Sequence, residues 1–173
     1  LNQSPRHFLF IRGCRGTNHQ VQMNPLSPKE ANRKEKELYY AVLSFLKKIR
    51  KEGKTSDKEW KEYRSHLKGI ATSPDMGKAA DLWTMDNLDQ FMPDSSQLPP
   101  LNDMESIAKV SPEFLSQLVE ALYYGMLNLS QANMISDEIQ DADPECVSSA
   151  SLEELLVKLW IGNAKTYRKT IVN

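Results

Sequence analysis

Residue types that perform chemistry are present in this sequence, but their spacing matches no catalytic or metal-binding pattern. The three histidines, His7, His19 and His66, lie far apart, and none has a second His or a Cys at the spacing that zinc ligands need. Cys146 has no neighbouring histidine that would activate its thiol as a nucleophile. The sequence therefore predicts a protein that is not an enzyme, with no catalytic residue, no metal site and no cofactor.

Charged residues are distributed unevenly, although the net charge of the 173-residue chain is only −1. Residues 29–68 carry 13 basic and 7 acidic side chains, whereas residues 75–154 carry 2 basic and 16 acidic ones. The two halves either neutralise each other within the fold or present their fields to separate partners. The side chains predicted to contact phosphates or an acidic partner are Lys47, Lys48, Arg50, Lys51, Lys61 and Arg64.

Aromatic side chains are the second group that could bind a partner, since they are favoured at the centres of protein interfaces. In the pairs Tyr39–Tyr40 and Tyr123–Tyr124, adjacent helical residues point about 100° apart, so both members cannot face one core. For every aromatic residue the alternative is a place in the core. The residues predicted to contact a partner protein are Tyr40, Trp60, Tyr63, Tyr123 and Trp160.

Serine followed by proline and a charged residue occurs at Ser27, Ser73 and Ser111. Each pair predicts the start of a helix, because the serine hydroxyl can cap a backbone N–H and proline loses no hydrogen bond at the next position. The same pair is the target of proline-directed kinases, and a phosphate there would interact favourably with the helix N-terminus. Ser73 and Ser111 are the predicted phosphorylation sites, because both flank expected loops.

The apolar residues recur at helical spacings of three and four, and no segment longer than three residues alternates as a strand would. The sequence predicts an all-α fold, a bundle of about five to six helices, with further capping boxes at Ser56 and Ser151. Basic helices are expected over 28–71, and further helices over 74–92 with a break at Thr84. The proline-rich linker is 93–104, and an acidic helical half covers 105–173, in which one helix runs from Pro112 to Ile139.

Residues 23–173 are predicted to form a single α-helical domain. Residues 1–22 carry three arginines and no acidic side chain, and they are expected to be a disordered basic arm or a non-native extension. Residues 27–46 and 111–130 align without gaps with six identities in 20. Either the chain contains two related helical hairpins, or two capped amphipathic helices simply resemble each other.

No apolar run approaches the roughly 18–20 residues that span a bilayer, and two distant cysteines do not indicate a disulfide framework. We expect a cytoplasmic or nuclear protein with no membrane association and no small-molecule substrate. The predicted function is a non-enzymatic protein–protein interaction module, a scaffold or regulatory subunit of an intracellular multi-subunit complex. The alternative is a nucleic-acid-binding helical protein that uses the basic helices over 29–68, although seven acidic residues interrupt that surface.

Overall fold

The computed structural model of the protein describes residues 27–88, 111–143 and 147–172. The predicted arm over 1–22 and the predicted linker over 93–104 lie outside the described residues. Within these ranges the chain forms helices and no strand, which confirms the predicted all-α fold of five to six helices. The helices are α1 (Pro28–Glu52), α2 (Asp57–Ile70), α3 (Pro74–Asn87), α4 (Pro112–Tyr123), α5 (Leu129–Asp141) and α6 (Ser149–Val172).

The Ser-Pro pairs at Ser27, Ser73 and Ser111 each begin a helix, as predicted. The hydroxyls of Ser27, Ser73 and Ser111 each accept a hydrogen bond from the backbone N–H three residues later, at 3.1, 3.1 and 3.0 Å. The capping box of α2 is complete, since Ser56 Oγ accepts from the Glu59 N–H and the Glu59 carboxylate accepts from the Ser56 N–H. These caps satisfy N–H groups that have no partner within their own helix.

A tight connection joins α1 to α2. Gly53 ends α1 in the left-handed region, at φ 81°, and its N–H donates to the Ile49 carbonyl at 2.6 Å. A residue with a side chain is strained at this φ, so glycine suits the position. Because Phe45 contacts Tyr63 and Lys48 contacts Glu59, the two helices run antiparallel as a hairpin.

Three details of the predicted helices are wrong. The helix expected from Pro112 to Ile139 is two helices, because Gly125 turns the chain at φ 74° and Asn128 caps α5 in a box with Gln131. The break expected at Thr84 does not occur within α3. The cap of α6 is supplied by Ser148, whose Oγ accepts from the backbone N–H of Ser151, the predicted cap.

The chain divides into two compact units. Among the described residues, the basic unit contains α1, α2, α3 and the part of α6 from Trp160 onward, with 17 basic and 10 acidic side chains. The acidic unit contains α4, α5 and α6 as far as Leu159, with 1 basic and 8 acidic side chains. The single domain expected over 23–173 stays a prediction, and so does the duplication.

An aromatic core occupies the basic unit. The ring of Trp160 packs edge-to-face against Tyr39, with ring centroids 5.9 Å apart, and against Trp83, at 5.6 Å. All three side chains are at most 4% exposed. The other buried side chains of this unit include Leu38, Val42 and Leu46 of α1, Leu67 of α2, Ala79 and Ala80 of α3, and Ala164 of α6.

Among the described residues, the core of the acidic unit is built mainly from aliphatic side chains, together with Phe114 and Met126. Phe114 and Leu118 of α4, Ile135 of α5 and Leu152 of α6 are fully buried. Here Ser111 has a second role besides capping, because its Oγ lies 2.6 Å from the Oγ of Ser149 and its side chain is 2% exposed. This hydrogen bond fixes the start of α4 against the start of α6.

Candidate protein-interaction groove

An open groove of about 750 Å³ lies between α1 and α2 in the basic unit. One wall is a stripe of α1 side chains from Arg33 to Lys48, and the other is a stripe of α2 side chains from Glu59 to Ile70. At 1.5 Å per residue, the α1 stripe is about 22 Å long, or about four helical turns. The spacing of three and four residues along both stripes explains how two amphipathic helices form one continuous surface.

Aromatic rings fix one end of the groove. The rings of Phe45 and Tyr63 line it and stack face to face, with centroids 3.8 Å apart and planes 7° apart. Trp60 packs edge-on against both, at 5.2 Å from Phe45 and 5.8 Å from Tyr63. We call Phe45, Trp60 and Tyr63 the groove cluster. Because Phe45 and Tyr63 are largely buried while Trp60 is half-buried, the cluster has both a packed side and an accessible side.

The hydroxyl of Tyr63 anchors this cluster to α3. It lies 2.7 Å from Thr84 Oγ1, which itself donates to the Ala80 carbonyl at 2.7 Å. Burial raises the pKa of the Tyr63 hydroxyl, with a smaller contribution from the Asp81 carboxylate, so the group stays neutral at physiological pH. A neutral, hydrogen-bonded hydroxyl of this kind positions the ring rather than reacting.

The middle of the groove is lined by small side chains. Ala41 and Ser44 lie there, and Ser44 is exposed. Tyr40 is half-buried beside them, with its ring edge-on to Tyr39 at 5.1 Å. Short side chains between larger aromatic ones leave room for another backbone to approach α1 closely.

Charged side chains form the rims. At one end Lys48 and Glu59 form an ion pair across the groove, and at the other Arg33 pairs with Glu37 at 3.2 Å. Hydrogen bonds from Lys48 and from the Ser56 backbone N–H lower the pKa of the Glu59 carboxyl to about 2. The same hydrogen bond raises the pKa of the Lys48 ammonium. The rim charges nearest the groove cluster are therefore paired with each other.

The basic residues predicted to contact phosphates or an acidic partner have different environments. Lys48 binds Glu59, and Arg64 donates from Nε to both carboxylate oxygens of Asp81, at 3.2 and 3.1 Å. The Arg64 guanidinium also lies 5.1 Å from the centre of the Trp60 ring. The other four are exposed: Lys47, Arg50, Lys51 and Lys61.

The aromatic residues predicted to contact a partner also separate into groups. Tyr40 and Tyr63 line the groove, and Trp60 packs against its aromatic end. Tyr123 is half-buried in the acidic unit, edge-on to Tyr124 at 4.9 Å. Trp160 is fully buried among core rings, so its place in the core, the alternative that the sequence left open, is the one the fold adopts.

The two predicted phosphorylation sites differ in access. Ser73 is exposed and its backbone is extended, at φ −156° and ψ 162°. Ser111 is buried and bonded to Ser149, which keeps its hydroxyl away from a kinase in the folded chain. Phosphorylation stays a prediction, and the fold favours Ser73.

The sequence did not single out the small residues Ala41 and Ser44 at the centre of the groove. Their spacing of three places them on the same face of α1 as Tyr40 and Lys48. This face is recognised as the wall of a groove only once α2 is known to lie beside α1.

In the three described ranges, no group of three or more His, Cys, Asp or Glu side chains is placed to hold a metal ion. Across the same part of the chain, the helices are too short or too polar for any of them to cross a membrane. No family model matches the chain, and comparisons with curated proteins and with solved structures give no significant match.

Proposed function

We propose that this protein is a non-enzymatic protein–protein interaction module, a scaffold or regulatory subunit of a multi-subunit complex, and that the α1–α2 groove binds its partner. The observation that carries the proposal is the groove itself, about 750 Å³ in volume, with stacked aromatic rings at one end and small side chains in the middle. Tyr40 and Trp60 beside these rings are half-buried, and tyrosine and tryptophan are among the residue types that carry most of the binding energy at many protein interfaces.

The groove is well organised for binding. The opposite face of α1 packs into the core through Leu38, Val42 and Leu46, and the Tyr63–Thr84 hydrogen bond ties α2 to α3. A partner would therefore meet walls that are already ordered, and binding would lose little free energy to ordering them. This organisation supports a binding surface.

The nucleic-acid alternative has weaker support. Two of its six proposed contacts, Lys48 and Arg64, already bind carboxylates, and 10 acidic side chains accompany the 17 basic ones in the described part of the basic unit. Phosphate binding predicts an affinity that falls steeply with salt, because counterions are released. An apolar contact in the groove depends much less on salt.

Site-specific cross-linking tests the proposed function. A photo-crosslinking amino acid replaces Ser44 at the centre of the groove or, as a matched control, Ser65, which is exposed on α2 outside the groove. Both full-length proteins are irradiated in nuclease-treated native extract. We expect a protein adduct from position 44 that is absent from position 65, and the purified partner should bind the unmodified chain. Adducts that disappear with nuclease, or that form equally at both positions, would contradict the proposal.

A further inference from the structure

Ser73 lines two open cavities of the basic unit, both separate from the α1–α2 groove. The larger, of about 550 Å³, is bounded by α2, the α2–α3 connection and the first half of α3. The smaller, of about 370 Å³, is bounded by the start of α3 and the C-terminal half of α6. A group attached to the Ser73 side chain would therefore lie among residues of three helices.

Basic side chains dominate the charge of both cavities. The six basic residues that line them are Arg64, Lys68 and Lys78 in the larger cavity and Lys165, Arg168 and Lys169 in the smaller one. We call these six residues the Ser73 basic cluster. Among the described residues, each cavity has a single acidic side chain in its lining, Asp81 in the larger and Asp75 in the smaller.

The two acidic side chains are already paired with the two arginines. Arg64 Nε donates to both carboxylate oxygens of Asp81. Arg168 Nη1 donates to the carboxylate of Asp75 at 2.8 Å and to its backbone carbonyl at 3.2 Å. Within the described part of the chain, no carboxylate pairs with the four lysines of the cluster. These lysines repel one another, and an anion among them would relieve that repulsion.

Ser73 is accessible to a protein kinase. Its side chain and that of Pro74 are exposed. The backbone is extended both at Ala71, with φ −70° and ψ 154°, and at Ser73, with φ −156° and ψ 162°. An exposed, extended serine followed by proline is the form in which a proline-directed kinase can bind its substrate.

We propose that Ser73 is a phosphorylation site and that its phosphate is bound by the Ser73 basic cluster, which then joins α2, α3 and the C-terminal half of α6. The phosphate carries a charge of about −1.5 to −2 at pH 7 and has three strong acceptor oxygens, which suits several lysines at once. The site is independent of the proposed function, because none of the residues that line the α1–α2 groove belongs to the cluster.

The modification is an ordinary phosphoryl transfer. Ser73 Oγ forms a bond to the terminal phosphorus of a nucleoside triphosphate held by the kinase, and the bond from that phosphorus to the departing nucleoside diphosphate breaks. The hydroxyl proton passes to a base of the kinase. Ser73 Oγ at present accepts the Met76 N–H at 3.1 Å, and a phosphate oxygen can accept the same N–H afterwards. The cap of α3 is therefore kept.

A full-length chain that carries genetically encoded phosphoserine at position 73 tests the binding. The matched control carries phosphoserine at position 27, which is also an exposed N-cap before proline but lines neither cavity. We expect phosphoserine 73 to raise the melting temperature by at least about 2 °C more than phosphoserine 27 does. Phosphorus NMR titration should also give a lower second pKa for the phosphate at position 73, because nearby cations favour its dianion.

Matched lysine substitutions locate the phosphate. Lys68→Gln/Lys165→Gln removes one lysine from each cavity, and Lys51→Gln/Lys61→Gln removes two exposed lysines outside both. We expect the first pair to remove at least about half of the stabilisation by phosphoserine 73 and the second pair to leave it nearly unchanged. Each variant is also melted without phosphate, so that only the effect of the phosphate is compared.

Mass spectrometry tests whether the site is used. The chain is isolated from its own cells, and the purified folded chain is separately incubated with proline-directed kinases and a nucleoside triphosphate. We expect phosphate on Ser73 and none on Ser111, which is buried.

Three results would overturn the proposal. The first is the absence of phosphate on Ser73 in both samples. The second is an equal melting temperature and an equal phosphate pKa for the proteins modified at positions 73 and 27. The third is an unmodified chain that inorganic phosphate stabilises as much as phosphoserine 73 does, since the cluster would then bind phosphate from solution.

Discussion

Two aromatic clusters of the basic unit have similar composition and different exposure. The core cluster consists of Tyr39, Trp83 and Trp160, and its rings come from α1, α3 and α6. The groove cluster, Phe45, Trp60 and Tyr63, takes its rings from the α1–α2 hairpin. Rings supplied by three helices enclose one another, whereas rings supplied by two leave one side accessible. The comparison indicates that the number of helices around a ring, more than its residue type, separates fully enclosed rings from a cluster with an accessible side.

The largest expected difference comes from truncating one tryptophan in each cluster. Trp160→Ala should reduce the free energy of unfolding by about 3–5 kcal/mol, because it removes a fully buried ring and leaves a cavity. Trp60→Ala should cost clearly less, since Trp60 is half-buried. Urea denaturation followed by circular dichroism measures both changes. An equal loss in the two variants would show that the groove cluster is as much a part of the core as the core cluster.

The contrast between buried and accessible positions also applies to the two predicted phosphorylation sites. Ser111→Asp should destabilise the fold by more than about 2 kcal/mol, because it places a charge at a buried position bonded to Ser149. Ser73→Asp should be nearly neutral, since Asp is also a good N-cap at an exposed position. Thermal melts compare the variants, with Ser27→Asp as an exposed control. A stable Ser111→Asp protein would restore Ser111 as a phosphorylation site.

A smaller effect is expected from the hydrogen bond that anchors the groove cluster. Tyr63→Phe should cost about 0.5–1.5 kcal/mol, the usual net value of one hydrogen bond. Thr84→Val removes the same bond from the other side, so a double-mutant cycle isolates their coupling. No coupling between the two substitutions would mean that the ring stacking alone positions Tyr63.

The smallest effect concerns the ion pair on the groove rim. The carboxyl of Glu59 has a pKa of about 2 in the folded chain and an ordinary value of 4.5. Its contribution to stability is therefore fully present above about pH 4.5 and is lost as the pH falls toward 2. At pH 6, Glu59→Gln should melt at a lower temperature than the unsubstituted protein. At pH 3 the two melting temperatures should differ less. In a Lys48→Met background, the effect of Glu59→Gln on the melting temperature should depend less on pH. A melting-temperature difference as large at pH 3 as at pH 6 would contradict the lowered pKa of Glu59.

Local patterns predicted much of the fold. The caps at Ser27, Ser56, Ser73 and Ser111 follow from side-chain chemistry within three residues, and the structure confirms each of them. The break at Gly125 was not predicted, because the apolar residues keep a helical spacing on both sides of it. Periodicity alone could therefore not show that the chain turns there.

The candidate site was less predictable, because it depends on contacts between helices. The place of Trp160 in the core depends on Tyr39, more than 100 residues earlier, and the burial of Ser111 depends on Ser149. An amphipathic stripe has the same spacing whether it faces the core or a partner. The groove likewise appears only when the stripe of Ser44 is placed beside that of Tyr63.

The contact between Trp83 and Trp160 has a consequence for how the chain is made. These rings are separated by 77 positions in the sequence, although they touch in the same unit. At about 5–20 residues per second, the ribosome needs about 4–15 s to proceed from one to the other. During that interval Tyr39 and Trp83 have been synthesised without the ring that covers them. The newborn α1–α3 segment therefore cannot bury these two rings against Trp160 until synthesis has passed position 160.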